Sequence, residues 1–333
     1  MGGLVGPDII DTLRRDAGGK IYIVGVDVKP DAIGSKFADK FFIVPPGNHR
    51  DYIRHIREIV KKQKVNVIVP FSDEEIIALS KNKGHFKSLG VQILCNDYKT
   101  TMEISNKGEL LTCLSNHGFP VPKFCIPKSI SEIEADARKL GYPKTSFVIK
   151  PIRGRGGRGF TVVSPEINFF EERNRCKMRL EPLIGEIKRL QSTPDILLME
   201  YLGGEEHSVD VLADNGRVIY AIPRKRINTT FGVSLCGEFD NDEKIIEMTK
   251  EIVKILKLNL ISNVQFKCHE NDSLPYITEI NPRPGGTIAL NSKAGVPLLL
   301  YGIRHAIGKS FPQNKKIKPL KFWRYYKEFC EKK

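Results

Sequence analysis

Two stretches in the last third of the chain restrict its fold more tightly than any others. Ile261-Ser262-Asn263-Val264-Gln265-Phe266-Lys267 and Pro275-Tyr276-Ile277-Thr278-Glu279-Ile280-Asn281 alternate apolar and polar residues, with the turn Glu270-Asn271-Asp272-Ser273 between them. The pattern predicts two neighbouring strands. Residues two apart on a strand share a face, so Glu279 and Asn281 point the same way and Gln265 can join them from the adjacent strand. One carboxylate and two amide oxygens make a hard-cation site of the kind Mg²⁺ occupies, with several waters and with further ligands taken from phosphates. A hairpin with a polar face, closed by the turn at Asn281-Pro282, is the plainer alternative.

A second feature bears on that choice. Phe147-Val148-Ile149-Lys150-Pro151 is a short strand pattern ending on a lysine and stopped by proline, and Arg153-Gly154-Arg155-Gly156-Gly157-Arg158-Gly159 follows at once. Backbone N–H groups of so glycine-rich a loop can fold around phosphate oxygens, and its arginines add bidentate donors. It is not a Walker loop, because no Gly-Lys-Ser/Thr follows. A solvated loop or an RGG-like RNA-binding segment remains the alternative.

Third, the apolar run Ile196-Leu197-Leu198-Met199-Glu200-Tyr201-Leu202 enters the turn Gly203-Gly204 and leaves through Glu205-Glu206-His207-Ser208-Val209-Asp210-Val211, a strand connector with free amide edges. The ordered set Lys-Pro, glycine-rich loop, Glu-Tyr-Leu-x-Gly-x-Glu, Val-Gln-Phe and Glu-Ile-Asn-Pro-Arg resembles the ATP-grasp superfamily. Within it, the set is most similar to ligases related to the large chain of carbamoyl-phosphate synthetase. The resemblance covers roughly residues 1–310. It implies that Lys150 and Lys107 meet the ATP phosphates with Arg153, Gly154, Gly156 and Gly157 of the loop. It implies adenine recognition at Glu200, Tyr201 and Leu202, and a ribose contact at Glu206, for which Glu205 is the alternative. Glu279 and Asn281, helped by Gln265, would hold Mg²⁺, with Mn²⁺ as a substitute, and Arg283 would face the transferred phosphoryl group.

An N-terminal Rossmann-like α/β domain is expected over about 1–101. Its strands are read at Ile21–Asp27, Val65–Pro70 and Val91–Leu94, its helices from Tyr52 to Lys62 and from Ser72. Ser72-Asp73-Glu74-Glu75 reads as a capping box, and secondarily as a cleft edge. Gly2-Gly3-Leu4-Val5-Gly6 looks like the turn after a first strand that no residues precede, so either the start is truncated or the sheet begins one strand late. The ATP-grasp part, α+β in character, is expected over about 102–310, with a small covering lobe near 120–202 and a C-terminal lobe near 203–310. A charged helical stretch is read from Phe169 to Leu190 and a helix from Glu243 to Leu258. Residues 311–333 form a basic, aromatic tail around Phe322-Trp323-Arg324-Tyr325-Tyr326, read first as a strand packed on the body.

Arg224-Lys225-Arg226 follows the strand pattern at Gly216–Ile222, so Arg224 and Arg226 share a face while Lys225 turns away. With Arg283 they would suit a carboxylate substrate; a charged outer face on an edge strand is the alternative. A chain of 333 residues with 41% apolar content contains no run near the roughly 20 apolar residues of a membrane span. Its cysteines, Cys95, Cys113, Cys125, Cys176, Cys236, Cys268 and Cys330, are scattered without a Cys-x-x-Cys pair and read as reduced cytoplasmic thiols. The net charge of +14 is spread over lysine-rich surfaces, which disfavours a nucleic-acid groove and fits anionic small molecules. The expected chemistry is ATP-dependent activation of a carboxylate as an acyl phosphate for attack by an amine. Phosphorylation of bicarbonate or carbamate, and a nucleotide-regulated RNA- or surface-binding role, are the rivals. A homodimer is left open.

Overall fold

In the computed structural model, residues 3, 5–154, 159–167, 177–190, 194–230, 232–325 and 327–331 are described. Arg155, Gly156, Gly157 and Arg158 of the glycine-rich loop, Phe169–Cys176 of the charged stretch, and Tyr326 of the tail lie outside the described residues. The chain forms two compact units, one of Met1–Tyr98, Glu206–Asn263 and Pro282–Lys333, the other of Lys99–Glu205 and Val264–Asn281.

The first unit opens with the helix Gly6–Asp16, which has proline in its first turn. Parallel pairs then join Val24–Asp27 to Lys40–Ile43 and Val67–Ile68 to Gln92–Ile93. The strands are shorter than their hydrophobic patterns, and the pattern reading missed Lys40–Ile43, where apolar Phe41, Phe42 and Ile43 follow one another without alternation. Between them the helix Tyr52–Gln63 buries Tyr52, Ile56 and Val60 at i, i+4, i+8 spacing. Asp73–Lys81 starts at Ser72 with the expected capping box: Ser72 Oγ accepts from the Glu75 N–H, and Glu75 reaches back to the Ser72 N–H at 3.0 Å.

The larger sheet of this unit runs in the order Leu260–Asn263, Glu206–Asp214, Arg217–Thr230, Val233–Phe239 and Leu320–Trp323. Glu206–Asp214 and Arg217–Thr230 form a long antiparallel hairpin that brings Glu206 opposite Arg226 and Ser208 opposite Arg224. The strand bearing the arginines is thus interior to the sheet, not an edge. The tail strand Leu320–Trp323 pairs with Val233–Phe239 and buries Phe322 while Trp323 stays exposed. The helix Glu243–Ile255 packs on the hairpin.

The second unit centres on a five-stranded sheet ordered Phe124–Cys125, Ile196–Glu200, Phe147–Pro151, Thr161–Val163, Lys177–Met178. Phe147, Ile149, Ile196 and Leu198 pack against Ile133 and Ala137 of the helix Ile130–Lys139 and Leu183, Ile184 and Ile187 of Leu180–Lys188. Val264–Lys267 and Tyr276–Asn281 belong to this unit as well. No helix among the described residues is long and apolar enough to cross a membrane. Cys95, Cys113, Cys125, Cys236, Cys268 and Cys330 are free.

Candidate active site

In the second unit the helix Lys107–Asn116 begins at Asn106, whose side-chain oxygen accepts from the N–H groups of Gly108 and Glu109. That cap sets Lys107 at the first helical position, where its own N–H is donated to Ile152 O at 3.1 Å. The Lys107 ammonium is nearly buried; it donates to Gly154 O at 3.2 Å and lies 3.8 Å from Glu279 Oε2. Lys150, at the end of Phe147–Pro151, is equally buried and donates to Thr278 O at 3.1 Å. Thr278 Oγ1 in turn donates to Gln265 O at 3.2 Å. Two ammonium groups from separate elements therefore meet the strand Tyr276–Asn281. Burying cations this deeply costs free energy unless anions accompany them, as Glu279 accompanies Lys107.

On that strand, Asn281 Nδ2 donates to Glu279 Oε1 at 3.3 Å, so the two side chains share a face as the alternation predicts. Gln265 is partly exposed between buried Val264 and Phe266. An oxygen-only set with one carboxylate suits Mg²⁺, and among the described residues no group of three or more His, Cys, Asp and Glu offers a softer metal site. Arg153 and Gly154 are exposed, and Gly154 has φ +138°, a conformation that a residue with a Cβ adopts only under strain.

The connector after Ile196–Glu200 is shaped by contact as well as by its turn. The Glu200 N–H is donated to Lys123 O at 2.9 Å, and Glu200 Oε1 accepts from the Lys123 N–H at 2.7 Å. Leu202 is buried, whereas Tyr201 is exposed beneath the Lys267 ammonium, 5.9 Å from its ring centre. Gly204 donates to Cys268 O at 2.9 Å, and a Cβ there would lie 2.3 Å from His269 O. Only glycine admits that approach.

The first unit holds the remaining candidates. Glu206 pairs with Arg226 Nη1, while Arg226 Nε and Nη2 donate to Ser234 Oγ at 3.1 Å and Gly232 O at 3.0 Å. Arg283 Nε donates to Asp73 Oδ1 at 2.8 Å, and its Nη1 to Pro284 O at 3.3 Å. Arg224 departs from the substrate-facing pair expected with Arg226. It is 1% exposed, its Nη1 bonded to Asp210 at 2.5 Å and to Asn291 at 3.1 Å, and its Nη2 to Ser208 at 3.3 Å. Alternation does put Arg224 and Arg226 on one face, but Arg224 is fully buried and the Arg226 side chain is itself largely covered by Glu206, Ser234 and Gly232. Asn263 joins the network through bonds to Ser208 and Asp210. Pattern reading passed over Asp210 and Asn291, and named Asp73 only within the stretch 72–75 read secondarily as a cleft edge; a signal for Asp210 was present, since Glu206, Ser208 and Asp210 share a face whose partner strand carries the arginines.

Residues 192–326 match a family described as ATP-grasp in the biosynthetic pathway with Ter operon, and residues 7–94 match the PylC-like N-terminal domain. The carbamoyl phosphate synthase large chain of Clostridium acetobutylicum is 23% identical over 312 residues, covering 90% of this chain and 27% of that protein. Its counterpart in Methanothermobacter thermautotrophicus is 25% identical over 298 residues, 85% of this chain and 26% of the other. The chain thus spans about a quarter of the length of these relatives. Among solved structures, N5-carboxyaminoimidazole synthetase from Staphylococcus aureus complexed with ADP superposes with a TM-score of 0.70 at 17% identity, over 96% of this chain and 79% of that one. The biotin carboxylase domain of Hydrogenobacter thermophilus 2-oxoglutarate carboxylase, in complex with MgADP and bicarbonate, gives 0.68 at 18%, over 92% and 68%. At such identities the superpositions establish the fold.

Proposed function

We propose that this chain, which is similar to the carbamoyl phosphate synthase large chain and matches an ATP-grasp family model over residues 192–326, is an ATP-dependent ligase joining a small-molecule carboxylate to an amine. The observation that carries the reading is the meeting of two buried ammonium groups with one strand in the second unit, Lys107 at the Glu279 carboxylate and Lys150 at the Thr278 carbonyl beside it. Lys150 and Lys107 would neutralise the ATP phosphates and hold the γ-phosphoryl group in line with the acceptor. Mg²⁺, or Mn²⁺ in its place, would be held by Glu279, Asn281 and Gln265 and would supply charge neutralisation between the phosphates. The connector at Glu200–Leu202 would seat adenine, and Glu206, kept in place by Arg226, would reach the ribose.

Attack of the substrate carboxylate on ATP forms the acyl phosphate and releases ADP; the amine then displaces phosphate and leaves an amide. Arg283 would stabilise the oxyanions of both steps, and closure of the loop around Arg153–Gly159 would keep water from the acyl phosphate. A second reading, phosphorylation of bicarbonate or carbamate, is supported by the names of the relatives. We place the enzyme in the cytoplasm, in keeping with its free thiols, and regard a homodimer as compatible with it. ADP release from MgATP, measured against pooled carboxylates, bicarbonate and amines, tests the assignment. Release that needs both a carboxylate and an amine supports the ligase, release with bicarbonate alone supports the second reading, and release independent of any acceptor counts against both.

A further inference from the structure

The turn Pro284-Gly285-Gly286 carries two guanidinium groups from distant parts of the chain. Arg283 Nη1 donates to Pro284 O at 3.3 Å, and Arg324 Nη2 donates to Gly286 O at 3.2 Å. Arg324 is delivered there by the tail strand Leu320–Trp323 and fixed by its own N–H, donated to Leu235 O at 2.7 Å. The two arginines differ in their partners. Arg283 has a carboxylate, Asp73, whereas Arg324 forms no ion pair among the described residues. Asp8 acts on it only through space. Burial is the first cause lowering the pKa of Arg324, with the charge of Arg224 adding to it.

A partly sheltered cation whose acidic neighbour, Asp8, reaches it only through space gains from a directly bound anion. The turn that Arg324 holds is open on one side. A Cβ on Gly285 would press on Asp210 and Asn263 at 3.0 and 3.1 Å, but a Cβ on Gly286 would meet nothing within 4 Å. The turn is therefore packed on one side and open beside the carbonyl that Arg324 holds. We propose that Arg324 is a specificity-determining residue that binds a second carboxylate of the substrate, so that the acceptor is a dicarboxylate with one group activated near Arg283 and the other held by the tail. The remaining N–H donors of Arg324 match a carboxylate bidentately, as a lysine would not. This inference rests on the ligase reading only in placing the acceptor beside Arg283.

The test is calorimetric titration with malonate and with acetate at constant ionic strength, alongside MgADP. Wild-type protein should bind malonate at least about tenfold more tightly than acetate, a preference that one added charge-assisted bidentate contact can supply. Arg324→Gln, which removes the guanidinium and its charge, should abolish the preference, and Arg324→Lys should keep part of it. Lys321→Gln, removing an exposed charge on the same tail, should leave it intact. Equal malonate affinity in wild type and Arg324→Gln, or no preference in wild type, overturns the proposal. Should Arg324→Gln not fold, Arg324→Lys decides the matter by the same comparison. Loss of MgADP binding in wild type would count against the ligase reading and not against Arg324.

Discussion

Lys107 Nζ stands 3.8 Å from Glu279 Oε2 and 3.2 Å from Gly154 O, so one ammonium joins the start of the glycine-rich loop to the carboxylate of the cation set. A cation in that position can exchange its carboxylate contact for a phosphate when nucleotide and metal arrive together. Glu279→Ala should then lower turnover by about 100-fold or more, in line with removal of a group that organises transition-state charge. Asn281→Ala, which removes a neutral ligand, should cost less. Steady-state ADP release with circular dichroism as a fold control measures both, and undiminished turnover in Glu279→Ala would contradict the cation assignment.

The same lysine bears on loop order. Trypsin should cut at exposed Arg153, and MgATP should slow that cleavage if the loop closes on phosphate. Gly154→Ala adds a Cβ at φ +138° and should weaken protection while leaving global stability within about 1–2 kcal/mol of wild type. Equal cleavage with and without nucleotide would mark the loop as uninvolved.

Arg224 should behave as a stability residue. Asp210→Ala leaves its guanidinium buried without its carboxylate and should cost about 3–5 kcal/mol in urea unfolding. Arg226→Gln should cost less stability than Asp210→Ala, because Glu206 keeps partial access to solvent, while weakening nucleotide binding through Glu206. A mild effect of Asp210→Ala would mean that the Asn291 and Ser208 contacts suffice.

Asp240 gives a pH-dependent prediction. Desolvation holds its pKa above the ordinary 3.8, while His207, with Nε2 at 3.8 Å, partly opposes the shift. A carboxyl raised in the folded state binds its proton more tightly there than in the unfolded chain. Its contribution to stability therefore falls as pH rises from about 3.8 through the raised value. Asp240→Asn removes that loss. The melting temperature of Asp240→Asn relative to wild type should climb from pH 4 towards pH 7. A relative decline over that interval would contradict the account.

The local elements were legible because their signals are short-range. Ser72 with Glu75 announced a helix start, and the alternation around Gln265 and Glu279 announced two strands that place Glu279 and Asn281 on one face. The burial of Arg224 was not legible, because period-2 alternation gives the face of a residue but not its depth along a long hairpin. Arg283 meeting Asp73 and Arg324 reaching Gly286 depend on chain segments separated by 210 and 38 positions, and no local pattern encodes such meetings. Phe41 to Ile43 formed a strand without alternation, where periodicity has nothing to detect.

Transfer of oxygen tests the central claim most directly. With the responding carboxylate labelled with ¹⁸O, an acyl phosphate pathway requires that one labelled oxygen leave in each phosphate released when the amine attacks. Mass spectrometry of the phosphate should find one ¹⁸O per molecule. Phosphate free of ¹⁸O, its fourth oxygen drawn from solvent, would mean that ATP is hydrolysed by water and would contradict carboxylate activation.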